Sequence, residues 1–224
     1  MNNRNLTRIG PLACHGIIIF VFLTGCLRAR SLRLPEEQPE FRGPPLKSVA
    51  FLSRFPERNV RPGKDFLNLY AMDRAFAEEI ENWGLTEKVE IGEKPDIPVL
   101  IQVTVNPRQE GMALGAISSM FGVMVCYAVP TYIGSFQLDL TIRLSIHNEE
   151  VARYNYQGPE VTLWMWAALM GYEGPAYVEV PTAYAQNARI VARKLFADLE
   201  KDGHLETIAD PALQGVGPVG GPDG

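Results

Sequence analysis

The strictest constraint in the chain is a run of alternation. Phe136, Leu138, Leu140, Ile142, Leu144 and Ile146 are apolar, with Gln137, Asp139, Thr141, Arg143 and Ser145 between them. Successive side chains of a strand point to opposite faces. This stretch therefore has one face for a core and one for water or polar surroundings. His147-Asn148-Glu149-Glu150 reads as a turn. Val151 to Gln157 then returns as a second strand, making an antiparallel hairpin.

Other elements fall around that hairpin. Lys47 to Ser53 is a short apolar run and reads as a buried strand. Asp65 can cap a helix from about Phe66 to Trp83, since its carboxylate accepts free first-turn amides. Leu69, Met72, Phe76, Ile80 and Trp83 share one face of that helix, and Gly84 ends it. Asp73, Glu78, Glu79 and Glu81 fall mostly on the other face and read as solvated rather than as a metal site. Lys88 to Ile91 is a short strand or extended approach, and Val99 to Val105 is too β-branched for anything but a strand. Thr182 caps a last helix over Ala183 to Lys201, whose core face is Tyr184, Ala188, Val191, Leu195 and Leu199. The order predicts an α+β fold: a mostly antiparallel sheet of about four strands with two helices on one face. Residues 47–202 are expected to form a single domain, and the Gly- and Pro-rich residues 203–224 a disordered tail.

The start of the chain has a different character. Arg4 and Arg8 precede an apolar run from Ile17, which ends in Leu23-Thr24-Gly25-Cys26. The run is far short of the roughly 20 residues a spanning helix needs. Its flanks are those of a signal peptide, basic before and small after, with an uncleaved N-terminal anchor as the alternative. Leu23-Thr24-Gly25-Cys26 resembles the lipobox of bacterial lipoproteins. The resemblance implies cleavage of residues 1–25 between Gly25 and Cys26. It also implies diacylglycerol on the Cys26 sulfur and a further acyl chain, such as palmitate, on its amine. Cys14 competes poorly, because Pro11 stands where the lipobox has Leu. Leu27 follows the cysteine where an inner-membrane retention signal would have Asp, so the resemblance points to the outer membrane, facing the periplasm. No cofactor is expected beyond the covalent lipid on Cys26.

Composition narrows the rest. The 224 residues carry 21 Lys+Arg and 26 Asp+Glu. Loss of Arg4 and Arg8 leaves 19 against 26, a mature charge of −7. That balance, with no basic stripe, argues against nucleic acid as a partner. Cys126 is the one cysteine left after cleavage and acylation, so no intramolecular disulfide framework is expected, and it reads as a small buried hydrophobe. Residues 26–46 read as a Pro-rich tether, with Pro35, Pro39, Pro44 and Pro45 favouring an extended spacer. Arg28, Arg30 and Arg33 read either as headgroup contacts or as solvated linker charges.

Two apolar insertions, residues 111–135 and 161–180, interrupt the α+β pattern. Gly111 to Leu138 holds no charged residue, and the dense part from Met112 to Val129 would span about 27 Å as a helix, close to a bilayer core. Gly111, Gly115, Ser119 and Gly122 form a small-residue stripe of the kind that lets membrane helices approach. Val161 to Tyr172 would be about 18 Å as a helix, too short to span. Its Trp164, Trp166 and Tyr172 suit a membrane interface. The candidate membrane or partner contacts are therefore Met112, Leu114, Ile117, Phe121 and Met124 with Trp164, Trp166 and Tyr172. Lipid contact, a subunit interface and burial in a larger core are the three readings of these segments. Inserted β-hairpins are a variant of the first.

Element order and lipobox together are similar to small envelope lipoproteins with a domain like the TolB N-terminal domain, including the curli secretion channel lipoprotein. The resemblance covers about Lys47 to Asp202. The anchor and the apolar insertions imply membrane lipid as one partner, an integral membrane or envelope protein as another, and a homo-oligomer as a further option. Catalysis has no support in the pattern. His147 and His204 sit in loops, and there is no nucleophile elbow, phosphate loop, zinc spacing or dinucleotide fingerprint. The expected role is accessory or structural, in assembly, export or maintenance of an envelope complex. A self-assembling export channel is the alternative and an envelope hydrolase a distant third.

Overall fold

The structure, a computed structural model, describes residues 27–36, 38–54, 64–110, 131–165 and 174–209. Its elements in chain order are β1 (Leu27–Arg30), β2 (Val49–Arg54), α1 (Lys64–Asn82), β3 (Val89–Ile91), β4 (Val99–Glu110), β5 (Thr131–Ile146), β6 (Glu149–Gln157), β7 (Val161–Met165), β8 (Tyr177–Val178), α2 (Val180–Lys201) and α3 (His204–Ile208). Hydrogen-bonded neighbours follow the order β3-β2-β4-β5-β7-β1-β8, with β6 also on β5. The chain divides into two compact units. The smaller holds Met1–Ser31, Gln109–Ser135 and Val161–Val180, and the larger Leu32–Arg108, Phe136–Glu160 and Pro181–Gly224.

The α+β expectation stands, but the sheet differs from the one expected. It has eight strands rather than about four, and it is mixed: β2 runs parallel to both β3 and β4. A parallel neighbour needs a long crossover, and α1 supplies the one between β2 and β3. Among the described residues three helices stand where two were expected. The third, α3, lies inside the segment expected to be a disordered tail, because Leu205 and Ile208 have apolar surface to bury and do so.

In the larger unit the periodic residues fill the core as their spacing requires. Phe136, Leu138, Leu140, Ile142, Leu144 and Ile146 are all buried. Phe136 stacks on Tyr184 of α2 at 4.3 Å, and Phe51 of β2 stacks on Phe76 of α1 at 5.2 Å. Trp83 meets Phe196 edge-on at 5.2 Å, so the two long helices lie side by side. Each such side chain contributes about 1.5–3 kcal/mol when fully buried. The hairpin turn is tighter than the sequence suggests. Ile146 pairs with Glu149, which leaves only His147 and Asn148 in the loop, both with positive φ (49° and 68°). That is the primed turn whose twist matches the strands, and Asn tolerates it well. Gly84, at φ 72°, ends α1 as expected. Asp65 and Thr182 are not caps: α1 starts at Lys64 and α2 at Val180, placing both residues inside a first turn. Pro181 fits there because an amide without a helical partner is lost at no cost.

The acidic face of α1 is not simply solvated. Glu79 is only 2% exposed and accepts from Arg193 Nε of α2 at 2.6 Å. Glu78 accepts from both Arg74, at 2.8 Å, and Arg189, at 2.9 Å. Glu81 Oε1 accepts from the Val89 amide at 3.0 Å. The carboxylates therefore tie α1 to α2 and to β3. Arg193 also donates through Nη1 to the Pro35 carbonyl, and the Phe41 amide donates to the Trp83 carbonyl at 2.7 Å. Leu46 is buried and bridges Thr86. The Pro-rich stretch is thus docked onto the larger unit rather than hanging as a free tether.

Breaking a buried pair from one side leaves the other charge uncompensated. Arg193→Ala is expected to lower unfolding stability by about 3 kcal/mol in chemical denaturation. The double variant Glu79→Gln, Arg193→Met should recover most of that loss.

Candidate functional site

The residues nearest the lipobox cysteine define the candidate site. Leu27-Arg28-Ala29-Arg30 alternates apolar and charged side chains, and it forms strand β1 rather than tether. It pairs antiparallel with β7, setting Leu27 opposite Met165, Arg28 opposite Trp164 and Ala29 opposite Leu163. Its other edge pairs with β8, with Ala29 opposite Val178 and Arg30 opposite Tyr177. The Ser31 amide extends the ladder to the Ala176 carbonyl at 3.0 Å. Ala29, Val161 and Leu163 are buried on one face. The opposite face carries Arg28, Arg30, Trp164 and Tyr177, since directly paired residues point the same way.

Tyr132 joins that face. Its ring meets Trp164 edge-on at 5.8 Å, and the residue is 48% exposed. Arg28 pairs with Glu179 at 3.6 Å, and Arg30 stands exposed. Three chain segments meet at this end of the smaller unit: the start of β1 at Leu27, the end of β7 at Met165 and the start of β5 near Tyr132. Cys26 precedes the first directly, and each apolar insertion adjoins one of the other two.

The sequence-predicted contacts divide accordingly. Trp164 lies on strand β7. The first five residues of the Val161 to Tyr172 segment form β7, because β1 offers them a partner edge. Gly25, Cys26, Met112, Leu114, Ile117, Phe121, Met124, Trp166 and Tyr172 lie outside the described residues. Residues 131–135, the end of the first apolar insertion, open strand β5. No helix among the described residues is long and apolar enough to cross a membrane. Tyr132, Tyr177 and the strand role of Arg28 and Arg30 were missed. Their signal was a two-residue period in Leu27–Arg30 and Val161–Trp164, short enough to be masked by the flanking prolines and apolar residues.

Elsewhere the titratable groups serve the fold. Tyr154 and Tyr156 of β6 donate to Asp202 and Asp198 at 2.9 and 2.7 Å, fastening the strand to the end of α2. Burial, then the carboxylate acceptors, push the Tyr154 phenol up to about 12 and raise Tyr156 as well, so both stay protonated donors. No cluster that could hold a metal ion occurs among the described residues. An open cleft of about 850 Å³ lies between Phe41, Arg42 and Pro44 on one side and Glu200, Leu205 and Glu206 on the other. His147 is exposed at the hairpin tip.

No protein family matches the sequence, and no curated protein matches it. Solved structures similar to it include a DUF330 protein from Xanthomonas campestris, at 15% identity and a TM-score of 0.39, covering 80% of this chain and 96% of that one. A minor lipoprotein from Acinetobacter baumannii is similar at 8% identity and a TM-score of 0.32, over 66% of this chain and 93% of its own. A Helicobacter pylori homologue of neuraminyllactose-binding hemagglutinin reaches 8% identity and a TM-score of 0.38, over 80% and 96%. Likeness at this level carries no function to the present chain.

Asp73 on α1 supplies a pH test. Burial pushes its carboxyl up to about 6, against the weaker opposing effect of the Ser53 hydroxyl. A carboxyl whose folded pKa is raised favours folding when neutral. Its contribution is full below the unfolded value of about 3.9 and is lost as pH rises through about 6. Asp73→Asn should therefore raise the thermal midpoint at pH 7, change it little at pH 4, and flatten the profile between.

Proposed function

We propose that the chain is an envelope lipoprotein, acylated at Cys26 and held at the periplasmic face of the outer membrane, with a non-enzymatic accessory role in assembling, exporting through or maintaining an envelope complex. One observation carries the reading. Leu23-Thr24-Gly25-Cys26 closes a signal-peptide core, and the next residue opens a sheet strand whose neighbours adjoin both apolar insertions. Two or more acyl chains, at about 0.8 kcal/mol per buried methylene, suffice for stable anchoring. The mechanism is local concentration. A domain confined to a surface meets a membrane-embedded partner at an effective concentration that makes weak contacts productive. The Tyr154 and Tyr156 hydroxyls and the buried Glu79 carboxylate support a structural role, since each is satisfied by another part of the fold.

Feeding cells a clickable fatty acid tests this. The wild-type protein should take up label and lose residues 1–25. Cys26→Ala should take up none and accumulate uncleaved. Label that survives the substitution, or a wild-type protein that never acquires any, would contradict the proposal.

A further inference from the structure

The tether expected between anchor and fold has no length. Cys26 and Leu27 are adjacent, so their Cα atoms are about 3.8 Å apart, and Leu27 is already hydrogen-bonded strand, opposite Met165. A lipid-modified Cys26 would place its acyl chains within one residue of the β1–β7 ladder. We infer that this end of the smaller unit docks onto the bilayer surface, with Trp164 and Tyr132 at headgroup level and Arg30 facing phosphate. The inference rests on acylation at Cys26 and adds to it a defined protein–lipid surface.

Three observations converge on lipid as the occupant. The chain leading to the acyl group enters the patch itself, so the bilayer surface is within reach without any linker. The face exposes amphipathic rings, Tyr132 against Trp164 at 5.8 Å, with Tyr177 further along the ladder. Such rings settle where apolar and polar layers meet. The basic residues share that face: Arg30 stands exposed while Arg28 is already matched by Glu179, so Arg30 is the cation offered to a phosphate.

The test uses the full lipidated protein reconstituted into phosphatidylethanolamine–phosphatidylglycerol vesicles, with or without phospholipid brominated near the headgroup end of its acyl chains. The chain has three tryptophans. Trp83 is fully buried in the larger unit, so Trp166→Phe leaves Trp164 as the sole reporter able to meet lipid. Brominated lipid should lower the emission of Trp166→Phe, and adding Trp164→Phe should abolish that loss while leaving the thermal midpoint within a few degrees. Flotation of the same samples separates the two claims. Protein that floats with vesicles yet shows no quenching overturns the docking surface and leaves the anchor intact. Protein that fails to float overturns the anchor. Quenching that persists in Trp166→Phe, Trp164→Phe also overturns the assignment to Trp164.

Discussion

Strand β5 hydrogen-bonds to β4, β6 and β7, more partners than any other strand in the sheet. A strand with partners on both edges has no freedom to slip, because moving its register by one residue would turn Phe136, Leu138, Leu140, Ile142, Leu144 and Ile146 from core to surface. The same alternation fixes which face of β4 is buried and where Tyr184 of α2 can stack.

The second constraint is electrostatic and local to the helices. Glu79 has left water almost completely, which is tolerable because Arg193 meets it at 2.6 Å. Arg193 reaches Pro35 as well, so one guanidinium fixes α1, α2 and the Pro-rich segment together. A buried ion pair of this kind adds little net stability over an apolar pair of equal volume. Its consequence is positional: helices that could slide along an apolar stripe are set in one register, and the segment after β1 acquires a fixed course.

Periodicity made half of this legible. The alternation from Phe136 to Ile146 and the three-and-four spacing of Met72, Phe76, Ile80 and Trp83 announce their faces because each residue repeats its neighbour's message. Shorter or nonlocal features do not repeat. β1 is four residues long and stands just ahead of prolines, so composition argues for a spacer there. β7 opens a twelve-residue apolar run in which a buried strand and a buried helix look alike. The parallel pairing of β2 with β4 joins residues about fifty positions apart, as Ala50 and Leu100 show. Arg193 lies 114 residues from its partner, beyond any local pattern. At the candidate site Cys26 rests on its motif alone and lies outside the described residues, whereas the face built from Arg30, Trp164 and Tyr132 exists only once three separate strands are paired.

That pairing changes what the lipobox cysteine is attached to. On the proposed acylation, a Pro-rich spacer would let the folded part drift from the bilayer, whereas a strand in a ladder would hold the smaller unit at the point of attachment. Within the larger unit, Pro35, Phe41 and Leu46 are likewise hydrogen-bonded to the fold. Hydrogen exchange on the peptide spanning residues 27–31 tests this most directly, in the lipidated protein held in detergent micelles. The account predicts amides protected to an extent comparable with β5, because Leu27–Arg30 pair with β7 and β8 and Ser31 donates to Ala176. Exchange at the rate of an unstructured chain would show that residues after Cys26 are a free tether, and would contradict it.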